Sequence, residues 1–587
     1  MNSRPAESIR VASLAELSKR GVVTVSGPAG RIAVFRDADH VRAVDNRCPH
    51  MGFPLDEGSV KDGILTCHWH QARFDLASGC TFDLFADDVP THETWISDGD
   101  VYVAPLPSRV LDVTHHSKRL RTGVELNVAL IQAKSLLGLL ELDADLESIV
   151  REVALFATEN LVNYGEGLVR LGCVVNLYPS LSPETAYQAL LYAIRQIANE
   201  TSNSVARRKR EPLDSEDHAP ETLKRWLRQW VQTRHRDATE RTLLTAIESG
   251  SREVLADLLY GAASERLFAQ TGHVFDAANK ALELIDVLGD DSASKLVPLL
   301  VQALTRTRGE EESTTWHHPI EIVDPIRKLE ADLPEILAKN AAAADPDWPG
   351  DADLREALLG DDPIAIIGAL EDALLAGAAP ERLARRVAHA ASLRLARFAV
   401  SNEVTDWFGP QHSLNFANAV HQAVCRTATP DTVRAIFQAA IAVYVDRYLN
   451  VPAARLPGAL DDLPESADEL REALLALLDQ RSEIDAAARL VSRYVRLGHP
   501  IEALIDTLTF AAVREDIDFH SLQVIEASAR QCAAWGEGPE IEEILVGAVR
   551  NLAAHCPTRR AGQQTAHIAL RLHRGDAIFE EEESEPS

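Results

Sequence analysis

Along the first hundred residues, short runs rich in Val, Ile, Thr and Phe alternate with turn signals. Val22–Ser26, Arg31–Arg36, His40–Asp45, Gly63–Cys67, Ala72–Leu76 and Asp100–Ala104 read as strands. They are separated by Gly27-Pro28-Ala29-Gly30, Asp37-Ala38-Asp39 and Ser97-Asp98-Gly99. Short strands at this spacing predict a small antiparallel β domain over residues 1–106, closed by Pro105-Leu106-Pro107-Ser108. From about residue 120 the period changes to that of helices, with apolar residues at i, i+3, i+4 and i+7. Leu126–Leu140, Glu147–Leu161, Pro183–Ala198, Glu221–Thr233, Val274–Leu288, Ser292–Leu304 and Ala467–Leu478 carry it, and Pro298 predicts a kink or break in the sixth. The fold class is therefore multidomain. A small all-β domain (1–106) and a linker (107–119) precede a large all-α domain (120–579). An acidic disordered tail (580–587) ends the chain.

Charge narrows the partners. Lys and Arg number 59 against 89 Asp and Glu, a net charge of −30. Nucleic acid and anionic membranes both need a basic footprint, so neither is expected as a partner. The basic stretch Arg207-Arg208-Lys209-Arg210 is followed by Pro212 and acids and reads as a solvated loop. No apolar run reaches the roughly 18 residues of a membrane span, and MNSRPAESIR lacks a signal-peptide core. Seven cysteines in 587 residues do not make a disulfide scaffold. The expected location is the cytoplasm.

Candidate chemistry sits in the β domain. Cys48-Pro49-His50 is followed after sixteen residues by Cys67-His68-Trp69-His70, a C-x-H…C-x-x-H arrangement. Two thiolates and two imidazoles suit zinc or an iron–sulfur cluster. The spacing resembles the Rieske family, as do Met51-Gly52 after the first His and Gln71-Ala72-Arg73-Phe74-Asp75 after the second. That resemblance, to the ferredoxin and oxygenase branch, implies a [2Fe–2S] cluster. Cys48 and Cys67 would bind the buried iron, and His50 and His70 the solvent-side iron. Phe53 and Trp69 stand where membrane-complex members carry an extra disulfide. Cys80 is alone beyond the second loop, and His68 reads as a loop residue. Few hydroxyl donors near the cluster imply a potential toward the low end of the Rieske range.

A one-electron centre needs something to reduce. The helical part contains no D-x-x-H-x-x-x-x-H element, no E-x-x-H pair and no P-loop, and Gly165-x-Gly167-x-x-Arg170 lacks a third Gly and a preceding strand. It does repeat a pattern at expected helix starts: His273, His318, His412 and His520, each followed by polar residues three and six positions later. Residues at i and i+3 share a helix face. Phe398-Ala399…Glu403…Asp406 also echoes Phe510-Ala511…Glu515…Asp518. These segments read as an uneven internal helical repeat. His273, His318, His412 and His520, with Glu403 or Glu515, are candidate ligands of a second metal, a non-haem iron; His317 is an alternative to His318. Each could equally cap or pack at a helix start. The helical segments are faintly similar to questin-oxidase-like proteins, over stretches too short to transfer a residue or cofactor.

The function expected is a Rieske-dependent oxidoreductase, an oxygenase. It would relay single electrons from the cluster into the helical domain to act on a small organic molecule, with an external reductase as donor. The alternative is a helical-repeat binding or regulatory protein whose Rieske domain senses redox state.

Overall fold

The computed structural model describes residues 7–108, 111–214, 218–576 and Ile578. The tail expected at 580–587 and part of the expected linker lie outside the described residues. The chain divides into two compact units, one formed by Met1–Ile149 with Gln564–Ser587, the other by Val150–Gln563.

The first unit holds every described strand. Ile9–Ser13, Asp100–Val103 and Thr94–Ser97 form one antiparallel sheet, in that order. Val22–Gly27, Gly30–Asp37, His40–Asp45 and Thr91–His92 form a second. Ser59–Lys61, Ile64–Thr66 and Arg73–Asp75 form a third. Two of the hairpins turn through a pair of left-handed residues, Asp62-Gly63 (φ 52° and 78°) and Asp98-Gly99 (φ 52° and 82°). This is the Asp-Gly chemistry that matches strand twist in a two-residue hairpin. Alternation along Gly30–Asp37 sends Ala33 and Phe35 into one core and Ile32 and Val34 into the other. The first core also contains Cys48, Cys67, Leu65 and Phe74, so the thiols sit on its inner edge.

Two corrections concern boundaries. The expected linker 107–119 is helical from Val113, because Asp112 caps that helix by accepting from the His115 backbone N–H at 2.8 Å. Val113–Glu125 and the following helix Ala129–Glu141 belong to the first unit rather than to a domain beginning at residue 120. They close on each other at Gly123, where a Cβ would lie 3.0 Å from the Gln132 backbone nitrogen.

The second unit is helical, and no strand occurs among its described residues. Ser292–Leu304 is interrupted around Pro298, as expected: Ala293–Leu296 and Val301–Arg306 are α-helical, and Val297–Leu300 between them is a 3-10 turn. Three helices matter most: His273–Leu288, Phe408–Arg426 and Phe519–Trp535, here the His273, His412 and His520 helices. The segments preceding the last two are not equivalent. Phe398 follows the end of Pro380–Ala396, whereas Phe510 lies inside Ile501–Val513.

Candidate functional site

The two cysteine loops share one backbone design. The Cys48 N–H donates to Phe53 O at 2.8 Å and its carbonyl accepts from Gly52 N at 2.8 Å. The Cys67 N–H donates to Ala72 O at 2.8 Å and its carbonyl accepts from Gln71 N at 3.1 Å. Gly52 (φ 84°) and Gln71 (φ 62°) occupy the same left-handed position in the two loops. Cys48 and Cys67 are buried, His50 is half-buried and His70 is exposed. The His50 and His70 rings meet edge-on at 4.8 Å, and His50 also packs on Phe85 at 4.9 Å.

Electrostatics set Cys48, Cys67 and His50 apart from ordinary side chains. The two thiols shift each other in opposite directions: Cys48 and nearby backbone amides pull Cys67 down, and Cys67 and burial push Cys48 up. Burial, with the charges of His70 and Lys134, pulls His50 down to about 4 and keeps it neutral. His50 Nδ1 is buried and has no hydrogen-bond partner among the described residues. Two buried sulfurs, an orphaned imidazole nitrogen and a second imidazole at the surface fit a cluster with Cys on one iron and His on the other. His68 is exposed and contacts Ser59 Oγ at 3.0 Å, and Cys80 is an exposed free thiol.

In the second unit the structure brings together three of the histidines singled out by the repeat. His412 Nε2 lies 3.1 Å from His520 Nε2, which lies 3.3 Å from His273 Nε2. The three rings are 4.7–5.0 Å apart. Burial first, then the neighbouring histidines, pulls His273 down to about 4 and His412 to about 3, so both are neutral near pH 7. A neutral ring nitrogen carries either one proton or one lone pair. His520 Nε2 can therefore direct its one proton or one lone pair at one neighbour and not both, so the other contact is not a well-directed hydrogen bond. A metal ion removes the conflict. Metal–nitrogen bonds of 2.0–2.1 Å place ligand nitrogens about 3.0 Å apart on an octahedral face and about 3.3 Å apart in a tetrahedron. The His412–His520 and His520–His273 contacts already stand at those separations, and the ligand atoms of all three histidines lie within 4.8 Å of one another.

The helices hold this arrangement in register. Asn415 Nδ2 donates to Gln523 Oε1 at 3.3 Å and Gln523 Nε2 donates to Asp276 Oδ2, so the residues three beyond each His form a second layer. Deeper, Lys280 Nζ bridges Glu283 at 3.0 Å and Glu526 at 2.9 Å, and Asn176 Nδ2 donates to both carboxylates at 2.8 Å. Layers that advance together mean the three helices run in one direction. Burial pushes Asp276 up to about 7. Gly272 (φ 87°) starts the His273 helix where a Cβ would stand 2.6 Å from Phe416. Phe519 and Phe408 flank the histidines, at 5.7 Å from the His273 and His520 rings respectively. Asp518 caps the His520 helix by accepting from the His520 backbone N–H at 3.0 Å, and its Oδ1 lies 3.1 Å from His520 Nδ1.

The remaining candidates are not brought there. His318 is exposed in the loop before Val323–Ala343, and its neighbour His317 is bound to Glu321 Oε2 at 2.6 Å. Glu403 is exposed and caps the short turn Val404–Trp407. Glu515 is buried but spent: it accepts from Thr558 N at 2.7 Å, Thr558 Oγ1 at 2.8 Å and Arg560 Nε at 2.7 Å.

Comparison with known proteins bears on the first unit. A family model described as the Rieske [2Fe-2S] domain matches residues 7–92. The 4beta-methylsterol monooxygenase of Methylococcus capsulatus is 47% identical over 51 residues, 8% of this chain and 14% of that protein. The chain thus spans a small fraction of that relative's length. The anthranilate 1,2-dioxygenase ferredoxin subunit of Burkholderia cepacia is 38% identical over 77 residues, 12% of this chain and 71% of the subunit. Among solved structures, the ferredoxin of carbazole 1,9a-dioxygenase from Nocardioides aromaticivorans IC177 is 27% identical. The match covers 17% of this chain and 100% of that one, with a TM-score of 0.17. These matches leave the helical residues unassigned.

Proposed function

Because the chain belongs, through residues 7–92, to the Rieske [2Fe–2S] family, we propose that it is an oxygenating oxidoreductase with two metal centres. In this reading Cys48, His50, Cys67 and His70 hold the cluster, and His273, His412 and His520 hold a non-haem iron that receives its electrons. The observation that carries it is the convergence of three imidazole Nε2 atoms at 3.1 and 3.3 Å. Three imidazole nitrogens are a ligand set that suits non-haem iron and would leave room on it for a small molecule. Phe408 and Phe519 beside the rings suit an apolar small organic molecule.

The cluster supplies one-electron transfer. Placing one oxygen atom of dioxygen in a substrate and releasing the other as water takes two electrons and two protons, so electrons arrive singly, in two passes, from an external reductase. Asp518 places a carboxylate 3.1 Å from His520 Nδ1, on the opposite side of the ring from Nε2. No helix among the described residues is long and apolar enough to cross a membrane.

The test is iron and acid-labile sulfide per chain on anaerobically purified full-length protein, with His412→Ala and His50→Ala alongside. The expected result is iron in excess of sulfide, the excess lost in His412→Ala and kept in His50→Ala, with substrate-dependent dioxygen uptake. Equal iron and sulfide, unchanged after ferrous iron is added, would overturn the reading in favour of a helical binding protein with a redox-sensing domain.

A further inference from the structure

The first cysteine loop is touched by a cation from outside the β domain. Lys134, on Ala129–Glu141, donates from Nζ to Pro49 O and lies 3.5 Å from His50 O. Both carbonyls belong to the segment that carries the ligands Cys48 and His50. Residue 134 is beyond the family match at 7–92, so the contact is supplied by the appended helices. We infer that Lys134 is a positioning residue of the cluster that raises its reduction potential by holding an ammonium charge against the Cys48–His50 loop. This rests on the family membership of residues 7–92 and is independent of the second metal centre.

The charge balance gives the sign. Two ferric ions, two sulfides, two thiolates and two neutral imidazoles sum to zero, and one added electron leaves the group at −1. A fixed cation nearby favours the reduced state over the neutral oxidised one, and a low local dielectric strengthens the effect. Other charges around Lys134 do not cancel it. Asp87 attracts its ammonium, but that carboxylate also takes His115 Nε2 at 3.0 Å and Arg119 Nε at 3.3 Å. Burial, and after it Arg47 and Arg119, pull Lys134 down to about 8, which still leaves it an ammonium at pH 7. The hydrogen bonds matter as well, because an ammonium on a peptide carbonyl draws electron density away from the ligand loop. The contact thus works against the low potential expected from the scarcity of hydroxyl donors.

The test compares Lys134→Gln, Lys134→Met and Lys134→Arg in the full-length chain. The midpoint potential would be measured at fixed pH by EPR-monitored titration, with g-values, iron and sulfide confirming an intact His-ligated cluster. Lys134→Gln and Lys134→Met are expected to weaken electron binding at least tenfold, a fall of 59 mV for one electron. Lys134→Arg, which keeps the charge, should stay within threefold of the parent. Should Lys134→Met fail to load the cluster, the Gln and Arg pair decides. Loaded neutral variants within threefold of the parent would overturn the inference. So would an Arg variant that falls as far as Met. Loss of the cluster from both neutral variants would make Lys134 a structural residue only.

Discussion

His412 and His520 are 108 residues apart in sequence, yet their Nε2 atoms face each other at 3.1 Å, with His273 Nε2 at 3.3 Å from the second. Each contact lacks a well-directed proton of its own, which makes this a poor resting place for three imidazoles. The cost is met because Gly272 and the amide layer below fix where the three helices, and so the rings, start.

Metal binding should therefore show as stability. A divalent cation that binds the folded triad and not the unfolded chain adds about 2.7 kcal/mol at a hundredfold excess over Kd. Titrating chelator-treated protein with Co(II) should raise the thermal midpoint by a few degrees and give the visible absorption of a nitrogen-ligated site. His520→Ala should lose both responses while keeping the spectrum of the cluster.

Gly272 tests the scaffold without touching a ligand. Its φ of 87° is strained for any other residue, and an added Cβ meets Phe416 at 2.6 Å. Gly272→Ala should cost roughly 1–3 kcal/mol and shift the start of the His273 helix. Denaturant unfolding gives the first effect, and a weakened Co(II) affinity the second.

Glu515 separates a structural carboxylate from a ligand. Its oxygens are taken by Thr558 and Arg560 in a buried setting. Removing one partner of such a network costs about 3–5 kcal/mol, so Glu515→Ala should lower the thermal midpoint markedly. In material that still folds, its metal content should equal that of the parent; a specific loss of non-cluster iron would return Glu515 to the ligand set.

The legible parts of the sequence were those governed by local geometry. Cys48, His50, Cys67 and His70 lie on two tight loops, where spacing along the chain nearly determines spacing in space. The polar residues three and six beyond His273, His412 and His520 lie on one helix face, which is why the pattern found three rings that converge. His318 carried the same pattern and is not there. Pro319 follows it and the helix begins only at Val323, so its later polar residues do not line up on one face from that position. Glu515 could not be read because its partners Thr558 and Arg560 lie 43 and 45 residues away. The helix at Val113 was missed because its first turns are mostly polar, Val-Thr-His-His-Ser-Lys-Arg, and apolar periodicity appears only later. Nothing in the sequence around Lys134 points to Pro49, which lies 85 residues earlier.

Stability of the second unit should depend on pH through Asp276. Burial raises this carboxyl to about 7 in the folded protein, against an ordinary value of 3.8. Between those values the folded state holds a proton that the unfolded chain has released. Stability is therefore greatest below about 4 as far as this group is concerned, and declines as pH rises through 7. The span corresponds to a few kcal/mol. Asp276→Asn keeps an oxygen that can accept from Gln523 Nε2 and removes the titration. The difference in unfolding free energy between pH 5.5 and pH 8 should shrink in this variant, and its stability relative to the parent should improve toward alkaline pH. An identical pH profile for the two proteins would mean that Asp276 is ionised in the fold, with the Lys280 ammonium as its countercharge.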